Sequence, residues 1–509
     1  MTNITTTQRE RPLIKDAVRT TLRRRYMFEY IFRGFGLGAI GLALVILSFL
    51  LYSLISQGLG AFSQTHFTLD ITYPQSLTVS PSVQRDPETN KILKDDKGNY
   101  LFNFSASALG NIAYEREGKK KIRFNLSQLS HDELKAVVAA AEPNNFKKPL
   151  RDSLRAISGE KSSSKLVNVG AEMQLRKYLQ KHPDAVGQRV SVSVPAQADF
   201  DYWWRHGGKE AHGQIEGLDA QIAAAANDAE LSKKLKNQRI RLLGRFEPLL
   251  PAVHALDEKN LVSVEFSSRI FTHYDASEAD YAGLRSAIVG TAYTMLVTFL
   301  ISFIFGITAA VWLEEFAPKG RMFDIIEVNI NNLAAVPSIV KGILGLLVFQ
   351  MLIGLPRGTP ILGGIVLSLV AMPTIIVASR AALKAVPSSL KDGALGVGAS
   401  NMQAVFQHVV PAALPGMLTG TIIGLAQALG ETAPLLMIGM KAYVQTPPSG
   451  FDGFGESATT IAATIYNWFS LGKDSFNELA SAAILVLLFF LLCMNALAVY
   501  LRKKFELDW

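Results

Sequence analysis

Residues 384–411 read KAVPSSLKDGALGVGASNMQAVFQHVVP, a basic stretch punctuated by glycines between two long apolar runs. Pro387 predicts a helix start after an extended residue, with Ser388 and Ser389 as candidate caps. Gly396 and Gly398 allow a turn at positive φ, and a second helical stretch follows to Pro411. Two short helices meeting at a glycine turn between two apolar runs make a compact knob. The chain has no Gly-x-x-x-x-Gly-Lys-Ser/Thr phosphate loop, so the knob suits force delivered by a separate protein rather than nucleotide chemistry of its own.

The apolar runs on either side set the class. Hydrophobic residues make up 49% of the chain, charged residues only 18%, and mean hydropathy is +0.21; soluble domains carry about 25% charge. A membrane-spanning helix needs about 20 mainly apolar residues, because lipid offers the backbone no hydrogen-bond partners. Six segments meet that test, at 34–56, 284–313, 333–355, 360–383, 412–440 and 480–501. The first is too long, and its basic leader too extended, for a cleaved signal peptide, so it reads as an anchor.

Much of the net charge of +8 sits before the first run, in Arg9, Arg11, Lys15, Arg19, Arg23, Arg24, Arg25 and Arg33. Juxtamembrane cations fix orientation, so this charge speaks for lipid topology and against a nucleic-acid partner. With the N-terminus inside, alternation places 57–283 outside, 314–329 and 384–411 inside, 441–479 outside and the Arg502-Lys503-Lys504 tail inside. The organisation is then a basic cytoplasmic segment (1–33), a first span (34–56), an external insert (57–283) and a five-helix core (284–509). The fold class is an all-α polytopic membrane protein with an inserted α+β soluble domain. Cys493, the single cysteine, lies within the last apolar run and forms no intrachain disulfide.

In the insert, positive and negative charges nearly balance. Residues 98–104 and 189–194 alternate as strands, Ser130-His131-Asp132-Glu133 has the form of a capping box, and 217–246 predicts one long helix. Asp201-Tyr202-Trp203-Trp204-Arg205-His206 sets aromatics beside charge, open both to a ligand or partner surface and to a core or membrane-interface cluster. The histidines lack ligand spacing, so neither a metal nor a cofactor is expected, and no catalytic constellation is present.

Polar groups inside apolar runs are costly and mark candidate pathways. Glu431 lies deep in the fifth run, with Thr432 beside it and Gln427 four residues earlier on the same helical face. Lys341 lies in the third run, where it either replaces a missing counter-charge or snorkels to the cytoplasmic interface. Gly416, Gly420 and Gly424 form a small-residue ridge, and Pro434 predicts a kink after Glu431. Ala-Val-Pro-Ser occurs at 335–338 and again at 385–388, without a longer repeat around it.

The knob resembles the coupling motif of ABC importer permeases: Glu-Ala-Ala, three residues, Gly, nine residues, then Ile-x-Leu-Pro. Asp392-Gly393-Ala394, Gly398 and His408-Val409-Val410-Pro411 fall at that spacing, with Asp392, Gly393 and His408 departing from the usual identities. Trp312-Leu313-Glu314-Glu315-Phe316-Ala317-Pro318-Lys319-Gly320-Arg321 and Val336-Pro337-Ser338-Ile339-Val340 are similar to phosphate permeases. Gly430-Glu431-Thr432-Ala433-Pro434 and Ile465-Tyr466-Asn467-Trp468 are similar to the PstA type. The resemblance covers about 284–509 plus the first span.

It implies a permease subunit that moves inorganic phosphate across a bacterial inner membrane by alternating access, both termini cytoplasmic. Implied partners are a second homologous permease, two copies of a cytoplasmic ATPase and a periplasmic phosphate-binding protein. Ser338, Lys341, Gln427, Glu431 and Thr432 are then candidate pathway residues. Related permeases carry an arginine where Gln427 stands. A permease for sulfate or molybdate, and a membrane-anchored sensor that reads a ligand through the insert, are the alternative functions.

Overall fold

The computed structural model describes residues 14–79, 122–141, 144–167, 169–225, 229–440, 443–444 and 446–505; the strand expected at 98–104 lies outside them. Residues through Gln57 form one compact unit and Gly58–Trp509 a second. The first unit is the body of a single helix, α1 (Ile14–Gly60), which starts well before the expected span. Its apolar residues, among them Phe32, Phe35 and Phe49, stand exposed, as a helix composed for lipid leaves them.

The insert is α+β, as expected. Strands β1 (Ser63–Thr72), β2 (Ser76–Val79), β3 (Ile122–Asn125), β4 (Arg189–Pro195) and β5 (Val262–Phe266) form two antiparallel sheets, ordered β4-β1-β5 and β2-β3. Phe67 opposes Val194 and Leu69 opposes Val192. The period of two therefore gathers one apolar face, while Thr68 and Asp70 turn to the other. That face packs with Leu150 and Leu154 of α3 (Asn144–Ser158) and Leu175 and Leu179 of α4 (Val169–Lys181), beside α2 (His131–Ala140). Helix α2 begins directly after Ser130, where the capping signal placed it.

The short α5 (Ala198–Trp203) follows β4. The single helix expected over 217–246 is instead two, α6 (Lys209–Ala224) and α7 (Ala229–Leu243). Asn227 and Asp228 fall between them, and such side chains compete for backbone hydrogen bonds and favour caps over helix interiors. Helices α8 (Leu250–Glu258) and α9 (Arg269–Thr272) complete the insert.

The membrane core opens with α10 (Arg285–Val311). The third expected span is not one straight helix: α11 (Arg321–Ala335) and α12 (Ser338–Gly345, continuing through Leu352) meet at a bend of 103°. Pro337 causes the bend, since Val336 before it is extended and helix cannot continue through it. The second Ala-Val-Pro-Ser does the same local work, ending α13 (Pro360–Lys384) before Pro387 caps α14 (Ser388–Gly396). The repeated word thus marks two helix restarts.

After α15 (Asn401–Ala404) the helix runs through a wide turn at Val405–Val409 into α16 (Val410–Leu429). Residues 408–411 therefore lie within a span, not at the end of a separate short helix. A wide turn just before Pro411 accommodates the N–H that proline lacks. The fifth expected span breaks after Leu429, and α17 (Ala433–Met437) restarts at Pro434. Helices α18 (Ile461–Ser470) and α19 (Asp474–Phe505) close the core.

Among the described residues five helices are long and apolar enough to cross a membrane, or six if the bent pair counts as one span. The glycine ridge is a packing seam. A Cβ on Gly416 would strike Ala382, one on Gly420 would strike Ala378, and one on Gly424 would press on Ala371 and Ile375, so α16 lies tightly against α13.

Candidate functional site

Glu431 and Thr432 stand in the gap between α16 and α17, where the backbone leaves the helix. Broken helices of this kind expose backbone groups that must face protein or a polar path. Helix α12 approaches the same break. A Cβ on Gly342 would meet the Cα of Pro434 at 2.6 Å, so only glycine permits the contact. Lys341, its neighbour, is 4% exposed. Glu431 is the carboxylate whose charge acts on it. Ser338 begins α12 one turn earlier and is half-buried.

Gln427 stands apart from this group. Its Oε1 accepts a hydrogen bond from the Thr374 hydroxyl of α13 at 3.2 Å. Because α16 ends at Leu429, helical spacing no longer sets where Glu431 lies relative to Gln427. The structure thus gathers Ser338, Lys341, Glu431 and Thr432 around two helix starts and ties Gln427 to a neighbouring span.

The knob at 384–411 has a defined build. Gly398, at φ +94°, makes the turn, whereas Gly396 remains helical. Ser400 then caps α15 in a full capping box with Gln403. Asp392, Gly393 and His408 are exposed and Ala394 is buried. Val397 at the tip is 88% exposed, and Leu395, Met402 and Phe406 are exposed as well. An exposed apolar tip of this kind is a candidate interaction surface.

What holds the knob was missed from the sequence. Lys391 of α14 donates to Glu315 at 2.6 Å. Arg380 near the end of α13 donates to Glu314 at 3.3 Å and to Glu327 of α11 at 3.1 Å, and Lys384 lies 3.6 Å from Glu314. Phe316 stacks on Phe406. The available signal was an acidic pair on the face that carries the basic loops.

Of the segment 201–206, the aromatics largely join the insert core. Trp204 is buried in the insert core, Trp203 packs on Phe246, and Phe200 meets both tryptophans. No group of three or more His, Cys, Asp or Glu side chains among the described residues has metal-site geometry.

Comparison with known proteins agrees with this architecture. Residues 302–507 match the binding-protein-dependent transport system inner membrane component family, and residues 19–144 and 119–212 match a domain of unknown function (DUF3333). The probable ABC transporter permease YqgI of Bacillus subtilis is 30% identical over 203 residues, 40% of this chain and 67% of that protein. The phosphate transport system permease PstA 2 of Mycobacterium bovis is 31% identical over 219 residues, 43% and 71% of the two chains. The phosphate permease PstC of Haemophilus influenzae is 31% identical over 236 residues, 41% and 73% of the two. A solved methionine ABC transporter, MetNI, overlaps with a TM-score of 0.37 at 18% identity, over 44% of this chain and 95% of that one.

The broken spans, the knob and the matched residues define an integral membrane permease. The chain belongs to the binding-protein-dependent transport system inner membrane component family of ABC transporter permeases. Its fold is the helical ABC importer permease core with an added, partly β, insert.

Proposed function

We propose that this chain is the permease subunit of an ATP-driven importer that brings inorganic phosphate into the bacterial cytoplasm by alternating access. The observation that carries the reading is the amine of Lys341, buried against the helix break that holds Glu431. It offers a cation to an anionic cargo where Gln427 offers none. Similarity to chains named as phosphate permeases supports phosphate over other oxyanions.

In this reading a second homologous permease completes the path. Two copies of a cytoplasmic ATPase hydrolyse ATP and grip the knob at Asp392, Gly393, Ala394, Gly398, His408 and Pro411, and a periplasmic phosphate-binding protein delivers the cargo. The chain sits in the inner membrane with both termini cytoplasmic. Uptake of radiolabelled phosphate by cells lacking the gene tests the assignment: high-affinity uptake falls at least tenfold and returns with the wild-type gene. Unchanged phosphate uptake together with lost sulfate or molybdate uptake would reassign the cargo. The Lys341→Met chain assembles but fails to restore uptake; normal uptake by it would remove Lys341 from the path.

A further inference from the structure

The insert does not hang from the core by its two connecting strands alone. Arg205 joins three segments, and its side chain is 8% exposed. Its Nε donates to Asp201 Oδ1 at 2.9 Å and one Nη2 proton goes to Asp201 Oδ2 at 3.0 Å. The other Nη2 proton reaches Glu478 Oε2 at 2.8 Å, while Nη1 donates to Glu478 Oε1 at 2.7 Å and to the carbonyl of Gly60 at 2.9 Å. A guanidinium has five N–H donors, and here all five are used, so it has none left for a ligand. Glu478, 2% exposed, belongs to α19; Gly60 ends α1; Asp201 belongs to the insert and accepts the Thr65 N–H of β1 at 2.6 Å.

Further contacts repeat the link. Ser475, one turn before Glu478 on the same face of α19, donates to Asp199 at 2.8 Å. A Cβ on Gly60 would collide with the Glu478 carboxylate, and one on Gly58 would meet Leu485 at 2.7 Å, so the chain at 58–60 is fitted against α19. Where the insert returns toward α10, the Asp275 carboxylate accepts the Tyr443 N–H at 2.7 Å and the Trp468 indole N–H at 2.9 Å. Tyr443 follows α17, the helix that restarts beyond Glu431, and Trp468 is fully buried in α18. Arg269, 6% exposed, adds a second buried cation whose charge interacts with Asp201, Asp280 and Glu478.

We infer that Arg205 is a positioning residue for transport: it makes the insert base and the outer end of α19 one rigid body, so that load on the insert is transmitted to the spans around the Glu431 break. The inference needs the chain to be an importer permease and is independent of which anion is carried. Lysine at position 205 keeps the charge but has three donors on a point centre and cannot bridge three acceptors in one plane.

Two measurements on the assembled transporter in lipid test it. With the cargo identified by the uptake assay, Arg205→Lys and, separately, Glu478→Gln are expected to lower cargo moved per ATP hydrolysed by fivefold or more, with ATP hydrolysis changed less than twofold. An unchanged ratio, or equal loss of both activities, overturns the inference, because a merely structural anchor would scale both with the amount of intact complex. The second measurement keeps the clamp intact and needs no cargo, so a wrong cargo leaves it valid. Nitroxides replacing Glu160 in the insert and Lys473 before α19, in a Cys493→Ser chain, are expected to hold one separation with and without trapped ATP. A shift above about 5 Å, one turn of helix, overturns the rigid body.

Discussion

Two ion-pair networks stand at opposite ends of the permease core, and they are built differently. At the outer junction Arg205, Asp201 and Glu478 are nearly sealed from water, and every guanidinium proton is placed. At the knob, Arg380 (10% exposed) and Lys391 (27%) hold Glu314 (19%) and Glu315 (12%), and the network opens to solvent at Lys384 (58%) and Glu327 (40%). Solvent-exposed pairs are worth about 0–1 kcal/mol, while breaking one side of a buried pair costs roughly 3–5 kcal/mol because the other charge is stranded. The first network suits a fixed joint. The second, opening to water at Lys384 and Glu327, suits a joint that can yield.

The largest way to break the contrast is Arg205→Met. It leaves Asp201 and Glu478 buried without their hydrogen-bonded counter-ion, with only the more distant charge of Arg269, and is expected to cost about 3–5 kcal/mol of stability, measured by denaturant unfolding of the purified chain. A loss below about 1 kcal/mol would put the outer joint in the exposed class. Next comes the seam between α13 and α16. Gly420→Val drives its side chain into Ala378 and is expected to cost about 1–3 kcal/mol by overpacking, with uptake falling alongside stability.

Asp280, in the same outer junction, sharpens the comparison through pH. Burial pushes its carboxyl up to about 6, against the hydrogen bond from the Ala198 N–H at 2.5 Å and the charge of Arg269. The folded chain therefore holds this proton more tightly than the unfolded chain between about pH 4 and 6. Its contribution to stability is whole below about pH 4 and is lost as pH rises through about 6. The change is on the order of 3 kcal/mol, and Asp280→Asn should flatten that part of a stability–pH curve. The smallest effect on stability belongs to the knob. Lys391→Met is expected to change unfolding by about 1 kcal/mol while lowering uptake severalfold; an equal fall in both would make Lys391 a structural prop.

Much of the helical framework was legible from local chemistry. Pro337, Pro387 and Pro434 stand at helix starts because proline lacks the N–H that a helix interior needs and is tolerated in the first turn, and six apolar runs exceed the length that lipid requires. Gly398 was legible as the turn of the knob for the same local reason, and 189–194 as a strand from its alternation. Local reasoning failed where two nearby signals compete. The helix expected over 217–246 is two, one ending at Ala224 and the next beginning at Ala229, and the fifth span breaks at Gly430 before Glu431 rather than after it.

The candidate site was legible by residue and not by arrangement. Lys341 and Glu431 stood out as charges inside apolar runs, yet only the packing of Gly342 on Pro434 brings α12, with the buried Lys341, to the break. Gln427 paired with Thr374, Lys391 with Glu315 and Arg205 with Glu478 are separations of 53, 76 and 273 residues. No periodicity spans such distances. Hydropathy, proline and glycine act on their own neighbours and are therefore written along the chain. The partners of a buried charge depend on which segments the whole fold brings within about 3 Å, and that was settled only when the insert closed onto the ends of the spans.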